Sequence, residues 1–532
     1  MVERASAKKS AELSITFPSL SLVCGGFRPP WGASWVAGSG PMERPVGRAS
    51  GADVKVGRAW RRVPPDARVA GLVKPICTET LVADRLTPVA AYAALRGADS
   101  GPSFLLESVV AGERWGRYSI LGYRPRREVI LRAPPQGGTL SAGDPFSELS
   151  QQIAVGAASE PDMAARFARA HVGYLAYDLV HFTTKVDRWP EHQPLARFLG
   201  DATVVVFDNL RQTVTIAAAD RADVERARAD LEKAPPLYPL AVPDPAALPS
   251  DVETLTDDAT YEAGARRAKE YIAAGDAFQI QLGRTLLTRA GSTDPFDVYR
   301  ALRILSPSPY MYFVDFPEQG GTPALQIAGA SPETLVRVED ETITVRPLAG
   351  TRRRGRTPAE DVALCAELLA DPKELAEHVM LIDLARNDVG RVAVTGSIKV
   401  PVRMQVERYS HVMHIVSEVA GRVRPELGPW DVVRSAFPAG TLTGTPKVRA
   451  MQIIRELEPR ARGVYGGAVG HIGPSRDLDL AIAIRTILCQ GGQFEITAAA
   501  GIVEGSVPAL EAKETRNKAR AALAAIRAAR GK

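Results

Sequence analysis

From about residue 76 onward, hydrophobic and polar positions fall into the periods of regular structure. FLLESVV (104–110), RYSILGY (117–123), TVVVFD (203–208) and TVTIAAA (213–219) are short runs rich in β-branched and aromatic residues, and each predicts a strand. Residues 220–233 predict a charged helix. Beyond them Tyr261, Ala265, Ala268 and Ile272 recur at helical spacing, and Gly275 stands where a left-handed residue can cap the helix. FQIQLGR (278–284) returns to period two, with Phe278, Ile280 and Leu282 on one face and Gln279 and Gln281 on the other. DLDLAIAIRTIL (477–488) reads as one strand, with Leu480, Ile482 and Ile484 opposite Ala481, Ala483 and Arg485. Helices and strands are mixed without regular alternation, which favours an α+β protein over a doubly wound sheet.

Six prolines between residues 235 and 249 break the pattern and predict a linker. The expected organisation is an N-terminal domain 66–234, a linker 235–255 that marks a domain boundary, and a larger domain 256–528. With 532 residues, two or three domains are expected. Residues 1–65 hold ten basic residues against four acids, so the rest of the chain is within about one charge of neutral. This head is expected to be a disordered basic extension, a tail or mis-set start rather than a targeting peptide, and it argues little for nucleic acid. No apolar run approaches the length of a membrane span. Cys24, Cys77, Cys365 and Cys489 lie far apart, without a CxxC pair, which suits a reducing, cytoplasmic compartment.

Several local patterns could carry chemistry. DPKELAEHVMLIDLAR (371–386) and PALEAKETRNKARAALAAI (508–526) each start a helix with proline, and Asp371 caps the first. Leu375, Val379 and Ile382 are its expected buried stripe. Glu374 and Glu377, and likewise Glu511 and Glu514, lie three residues apart on one face. Four such carboxylates suit a hard divalent cation, although either pair alone reads as a solvated face. The Gly/Thr-rich loop of FPAGTLTGTPKVRAMQIIREL (437–457) runs into a helix near Pro446 and offers backbone N–H groups to an anion, or is simply a capped helix. Arg485, on a face of alanines, has room for a planar carboxylate or a salt bridge. VRPLAGTRRRGR (345–356) sets four arginines behind a small-residue turn.

GASPETLVRV (329–338), RPLAGTRRRG (346–355), DPKELAEHVMLIDLARNDVGRV (371–392), ERYSHVMHIVSEV (407–419), AFPAGTLTGTPK (436–447) and VPALEAKETRNKARA (507–521) resemble, in order, the motifs of the chorismate-utilising enzymes. LLES (105–108) and PSPYMY (307–312) resemble the large subunits of anthranilate synthases within that family. The resemblance implies an antiparallel, sandwich-like core with helices outside, and a reaction of chorismate with ammonia that yields anthranilate and pyruvate for tryptophan biosynthesis. It implies Mg2+ bound by Glu377 and Glu514, with Glu374 and Glu511 alongside through water. Gly350, Thr351 and Thr441 would lie at the ring carboxylate, and Tyr465, Arg485 and Gly501 at the enolpyruvyl carboxylate. Glu333 would be the general acid. His414 would serve proton transfer as a group titrating near neutrality, with His411 as structural or exposed.

Related families that look alike carry a lysine nucleophile at the position of Ala349, or a lysine base at the position of Gln279. Neither lysine is present, so free ammonia is the expected nucleophile and arginines 352–354 are expected to be mostly solvated. No glutaminase motif appears, which implies a separate glutamine amidotransferase subunit. Glu107, Ser108, Pro309, Tyr310 and Met311 are the expected effector pocket for tryptophan. Ser306, Ala512 and the turn GIVEGS (501–506) depart from the usual pattern without removing a named functional group. The rival readings are an aminodeoxychorismate synthase and, from another class, a non-catalytic tryptophan-binding regulator.

Overall fold

The computed structural model describes residues 75–531 except 109–115, 136–137, 154, 156–159, 161, 191–193, 234–236 and 410–411. The basic extension 1–65 and His411 therefore lie outside the described residues. Residues 72–532 form one compact unit. Its frame is two large antiparallel sheets of twelve and ten strands. A layer of apolar side chains fills the space between them, including Phe104, Val172, Tyr174, Tyr312, Val314, Ile327, Val469 and Leu488. Helices cover the outer faces and seal two further apolar layers. This is the expected α+β sandwich with helices outside.

Both segments of the chain contribute to both sheets. In the larger sheet, strand Ser103–Glu107 pairs with Tyr310–Phe316, setting Met311 opposite Glu107. In the smaller, His171–Leu175 pairs with Ala468–Ile472. The expected segments 66–234 and 256–528 are thus two halves of one frame. The proline-rich stretch connects them without separating two bodies, because backbone hydrogen bonds run across the junction in each sheet.

Local chemistry explains most elements. The Asp371 carboxylate accepts from the N–H groups of Lys373 and Glu374, capping helix Pro372–Gly390, a device worth about 1 kcal/mol. Helix Asp258–Ala273 ends at Gly275, which takes φ +85° as the cap requires. Helix Pro508–Arg530 runs over strand Gln493–Ile502 and helix Pro295–Leu305. Three readings need correction. Phe278 is exposed while Ile280 and Leu282 are buried, because strand Gln279–Arg289 begins one residue later. In helix Pro372–Gly390 the buried face is His378, Leu381, Ile382 and Ala385, whereas Val379 is exposed. The small-residue turn before the arginines is instead a bulged edge strand, Leu348–Arg353, with Gly350 at φ +72°.

The run 477–488 is two strands, not one. Leu478–Ile482 belongs to the smaller sheet and Thr486–Gln490 to the larger. The chain changes sheets through 483–485, where Arg485 takes φ +51°, a conformation uncommon for a residue with a side chain. A second switch, between Leu325–Ser331 and Thr334–Glu339, carries Glu333. The two switches are stitched together, since Ile482 N–H donates to the Glu333 carbonyl and Ala330 N–H to the Arg485 carbonyl.

Candidate active site

At the switch between Leu325–Ser331 and Thr334–Glu339 the Glu333 side chain is buried and accepts a 3.0 Å hydrogen bond from the Thr441 hydroxyl. Burial pushes its carboxyl up to about 8, against the lowering effects of the Thr441 donor and the Lys518 charge. Thr441 sits in the single turn Gly440–Leu442, between helix Pro429–Ala436 and the Lys447–Leu457 helix. Gly440 lets the turn pack closely on Leu384: a Cβ would lie 1.9 Å from Leu384 Cδ2, so that side chain would have to shift.

The two ExxE helices bring their carboxylates within electrostatic reach of one another. Burial, then the charges of Glu374 and Glu514, hold the Glu377 carboxyl above its ordinary range, while a hydrogen bond from Gln279 opposes this. Glu511 is raised in the same way, by burial and by Glu514. Gln279 donates to Glu377 Oε1 at 3.2 Å. Arg352 engages Glu374 at 3.2 Å and Lys518 engages Glu514 at 2.8 Å. Among the described residues, no three His, Cys, Asp or Glu side chains are gathered closely enough to ligate one ion. The four-glutamate clamp is therefore not preassembled, because two of its members face cations instead. The donor set itself fits a hard cation: it is all oxygen, and a divalent charge would offset the burial and the neighbouring carboxylate charges that raise Glu377 and Glu511.

Strand Val412–Arg422 carries His414 beside the bulged edge strand. His414 Nδ1 is 3.2 Å from the Gly350 carbonyl and 3.0 Å from the Thr351 hydroxyl. A proton on Nδ1 satisfies that carbonyl and leaves the Nε2 lone pair available. Burial holds the ring down to about 4, assisted by the nearby Arg485 charge and opposed by the Gly350 carbonyl and Glu407. The expected titration near neutrality is thus replaced by a neutral imidazole throughout the physiological range. Gly350 also lies against Glu374: a Cβ there would sit 3.3 Å from Glu374 Oε2.

Arg485 closes the ring of groups. Burial lowers its pKa from the ordinary arginine value, with Tyr465 and Glu514 opposing. Its guanidinium makes no hydrogen bond or ion pair with any described residue. Tyr465 is buried nearby, and burial raises its phenol well above the usual range. Gly501 faces strand Gln279–Arg289, where a Cβ would come within 2.8 Å of Gln279 Nε2 and 2.9 Å of Gln281 Nε2. Every expected catalytic, substrate and metal residue thus belongs to one linked set. Its chemistry combines a protonated carboxylic acid, a neutral imidazole, an unpaired guanidinium and four carboxylates.

Sequence reading missed the cations that hold this set. Lys518, four residues after Glu514, also donates to the Ala499 carbonyl, and its i, i+4 spacing was a usable signal. Arg352 is bound to Glu367, Asp371 and Glu374, Arg354 to Asp361 and Arg353 to Glu360, and of the three only Arg353 is as exposed as the expected solvated flank. Lys447, half-buried, pairs with buried Asp388 at 3.2 Å, a contact that no pattern announced.

The five expected effector residues line a separate cavity of about 350 Å³, together with Arg166, Phe167 and Asp479. The Ser108 hydroxyl and Arg166 Nε are buried there without a hydrogen-bond partner among the described residues. Glu107 is already engaged, by Tyr299 at 2.7 Å and by Arg303 at 3.1 Å. Tyr310 bonds Thr334 and Asp479, both at 2.8 Å.

Comparison with known proteins supplies independent findings. Residues 102–524 match the chorismate binding enzyme family. Anthranilate synthase component 1 of Pseudomonas putida is 43% identical over 480 residues, covering 85% of this chain and 95% of that relative. The protein of the same name from Streptomyces coelicolor is 44% identical over 466 residues, covering 84% and 88%. The crystal structure of anthranilate synthase component I from Streptococcus pneumoniae superposes with a TM-score of 0.68 at 32% identity, covering 84% of this chain and 99% of that one.

Proposed function

The chain belongs to the chorismate-binding enzymes, and we propose that it is an anthranilate synthase large subunit. It takes chorismate and ammonia to anthranilate, pyruvate and water. The observation that carries the choice of ammonia is the chemistry at two positions. Residue 349 is a buried alanine, and residue 279 is a glutamine whose amide is spent on Glu377. Neither can act as an amine nucleophile or a strong base.

Arg485 suits one carboxylate of the substrate, because a half-buried guanidinium with no partner among the described residues gains from a bidentate anion. Tyr465 and the Gly501 backbone complete that end, and Gly350, Thr351 and Thr441 line the other. Ammonia adds to the ring as the ring hydroxyl departs. Glu333, protonated at neutral pH, gives that leaving oxygen its proton. Neutral His414 accepts the ring proton whose loss makes the product aromatic as the ether C–O bond breaks, and the enolpyruvate released takes up a proton at its methylene carbon to become pyruvate. Glu377 and Glu514, with Glu374 and Glu511 behind them, would hold Mg2+, which when bound offsets carboxylate charge at the ring.

Two further parts of the reading concern partners. Ammonia would come from a glutamine amidotransferase subunit, in keeping with the name component 1 borne by the relatives. Tryptophan would act as an effector in the 350 Å³ cavity, whose size suits a small ligand and whose Ser108 and Arg166 atoms await polar partners. No helix among the described residues is long and apolar enough to cross a membrane, and the reading is of a cytoplasmic enzyme. The test is chorismate with ammonium and Mg2+, watched for anthranilate fluorescence. Glutamine in place of ammonium should support turnover only when the partner subunit is added. A non-aromatic amine product would instead identify an aminodeoxychorismate synthase.

A further inference from the structure

Behind the active site, Glu458 and Arg462 form an ion pair that is 6% and 2% exposed. Arg462 Nε donates to Glu458 Oε2 at 2.8 Å and Nη2 to Oε1 at 2.6 Å. The remaining contacts reach outward. Nη1 donates to the Leu442 carbonyl at 2.6 Å, and Nη2 to the Gln281 carbonyl at 2.7 Å. Glu458 Oε1 also accepts from the Gly283 N–H at 2.7 Å. The guanidinium lies 4.7 Å from the centre of the Tyr177 ring and 5.8 Å from that of Tyr465.

We infer that Arg462, set by Glu458, is a positioning residue that fixes the substrate-facing loop 440–443, strand Gln279–Arg289 and Tyr465 relative to one another. Each tether ends next to a group of the proposed site. Leu442 follows Thr441, which holds the Glu333 carboxyl, and Gln281 is two residues from Gln279 and faces Gly501. The planar fork is required, because a single point charge cannot bond Glu458 twice and two diverging carbonyls at once. A buried pair is weak evidence for a stability role, since an apolar pair of similar volume often folds as well. The geometry therefore assigns the pair to precision of the site.

The inference rests on the anthranilate-forming reading, so two measurements separate them. Wild-type turnover of chorismate tests the reading. Hydrogen exchange at residues 440–445 tests the tether whatever the reaction is. Arg462→Lys should raise exchange in that segment and leave the outer strands Cys77–Val82 and Arg127–Arg132 unchanged. It should lower kcat/KM by about 10–100-fold, the penalty of a displaced site. Glu458→Gln with Arg462→Met guards against a folding failure and should match that loss while keeping the wild-type unfolding midpoint. Adding Thr441→Val to Arg462→Lys should cost less than the product of the single effects, since both act through the same loop. Unchanged exchange in 440–445, or a lower melting temperature with kcat and KM intact, would overturn the assignment. Full multiplicativity in the double variant would overturn it as well.

Discussion

Replacing Glu333 with glutamine should disable the enzyme and stabilise it at alkaline pH. The carboxyl is buried, and its pKa rises from 4.5 to about 8. At pH 7 about nine molecules in ten then carry the proton, against about three in a thousand for an ordinary carboxyl, so burial supplies a general acid some 300-fold more available. The same shift costs stability. Below pH 4.5 the folded and unfolded states both bind the proton and the group contributes nothing. Between 4.5 and about 8 only the folded state keeps it, so stability falls with rising pH and levels off above 8. The accumulated cost is on the order of 3–5 kcal/mol, at about 1.4 kcal/mol for each unit of pKa.

Glutamine keeps an oxygen for the Thr441 donor but has no proton to give. Glu333→Gln should therefore lose about 10²–10⁴-fold in ammonia-dependent turnover. Its advantage in urea denaturation should grow from near zero at pH 4.5 to the full amount above pH 8. In the wild type, turnover normalised to free ammonia should fall as pH rises through about 8, where Glu333 deprotonates. The normalisation matters because ammonium titrates in the same window. Equal stability changes at pH 5 and pH 8.5, or a wild-type rate with no alkaline fall, would refute the argument from burial.

Ser108→Phe should abolish inhibition by tryptophan while ammonia-dependent activity persists, because the ring fills the cavity beside an unpaired hydroxyl; unchanged inhibition would move the effector site elsewhere. His414→Met should slow pyruvate release more than amination, so aminodeoxyisochorismate accumulates in quenched reactions. Wild-type turnover should show no acid limb from His414 above about pH 5, since the ring is already neutral there. Glu374→Gln should weaken Mg2+ about 10–100-fold in a metal titration of activity, and Glu377→Gln should weaken it more, with equal effects contradicting the assigned order. Arg485→Lys should raise the KM for chorismate about 10–100-fold at an unchanged melting temperature, through loss of a bidentate charged contact.

The sequence exposed those parts of the fold that depend on local chemistry. Proline-started helices, the Asp371 cap, Gly275 and the strands around 103–107 and 203–218 follow from patterns within ten or so residues. What it could not expose depends on distant partners. Val379 has the right spacing for a buried stripe, yet His378 takes the inward face and bonds the Ser417 hydroxyl at 2.7 Å. The proline-rich stretch has the composition of a domain linker, but composition cannot reveal that residues on its two sides share hydrogen-bonded ladders. The glutamates were visible as pairs, whereas Arg352 and Lys518, which turn two of them aside, come into play only through folding.

Arg485 shows why the site was harder to read than the scaffold. Hydrophobic alternation continues unbroken through 477–488, so any argument from period two extends one strand across the arginine. The break is imposed from outside, where the chain leaves the smaller sheet at Ile482 and enters the larger at Thr486. Crossing between stacked sheets in three residues requires an abrupt backbone turn, and Arg485 makes it at φ +51°. A left-handed, non-glycine residue costs about 1–2 kcal/mol and persists only where its surroundings hold it. Here they do: its carbonyl accepts from Ala330 N–H, on the strand that leads into the Glu333 switch. The proposed acid and the substrate arginine therefore stand at two crossovers fastened to each other, where neither side chain is committed to a sheet face. Local patterns fail at that point because the fold departs from them there, and the departure frees both groups to face a ligand.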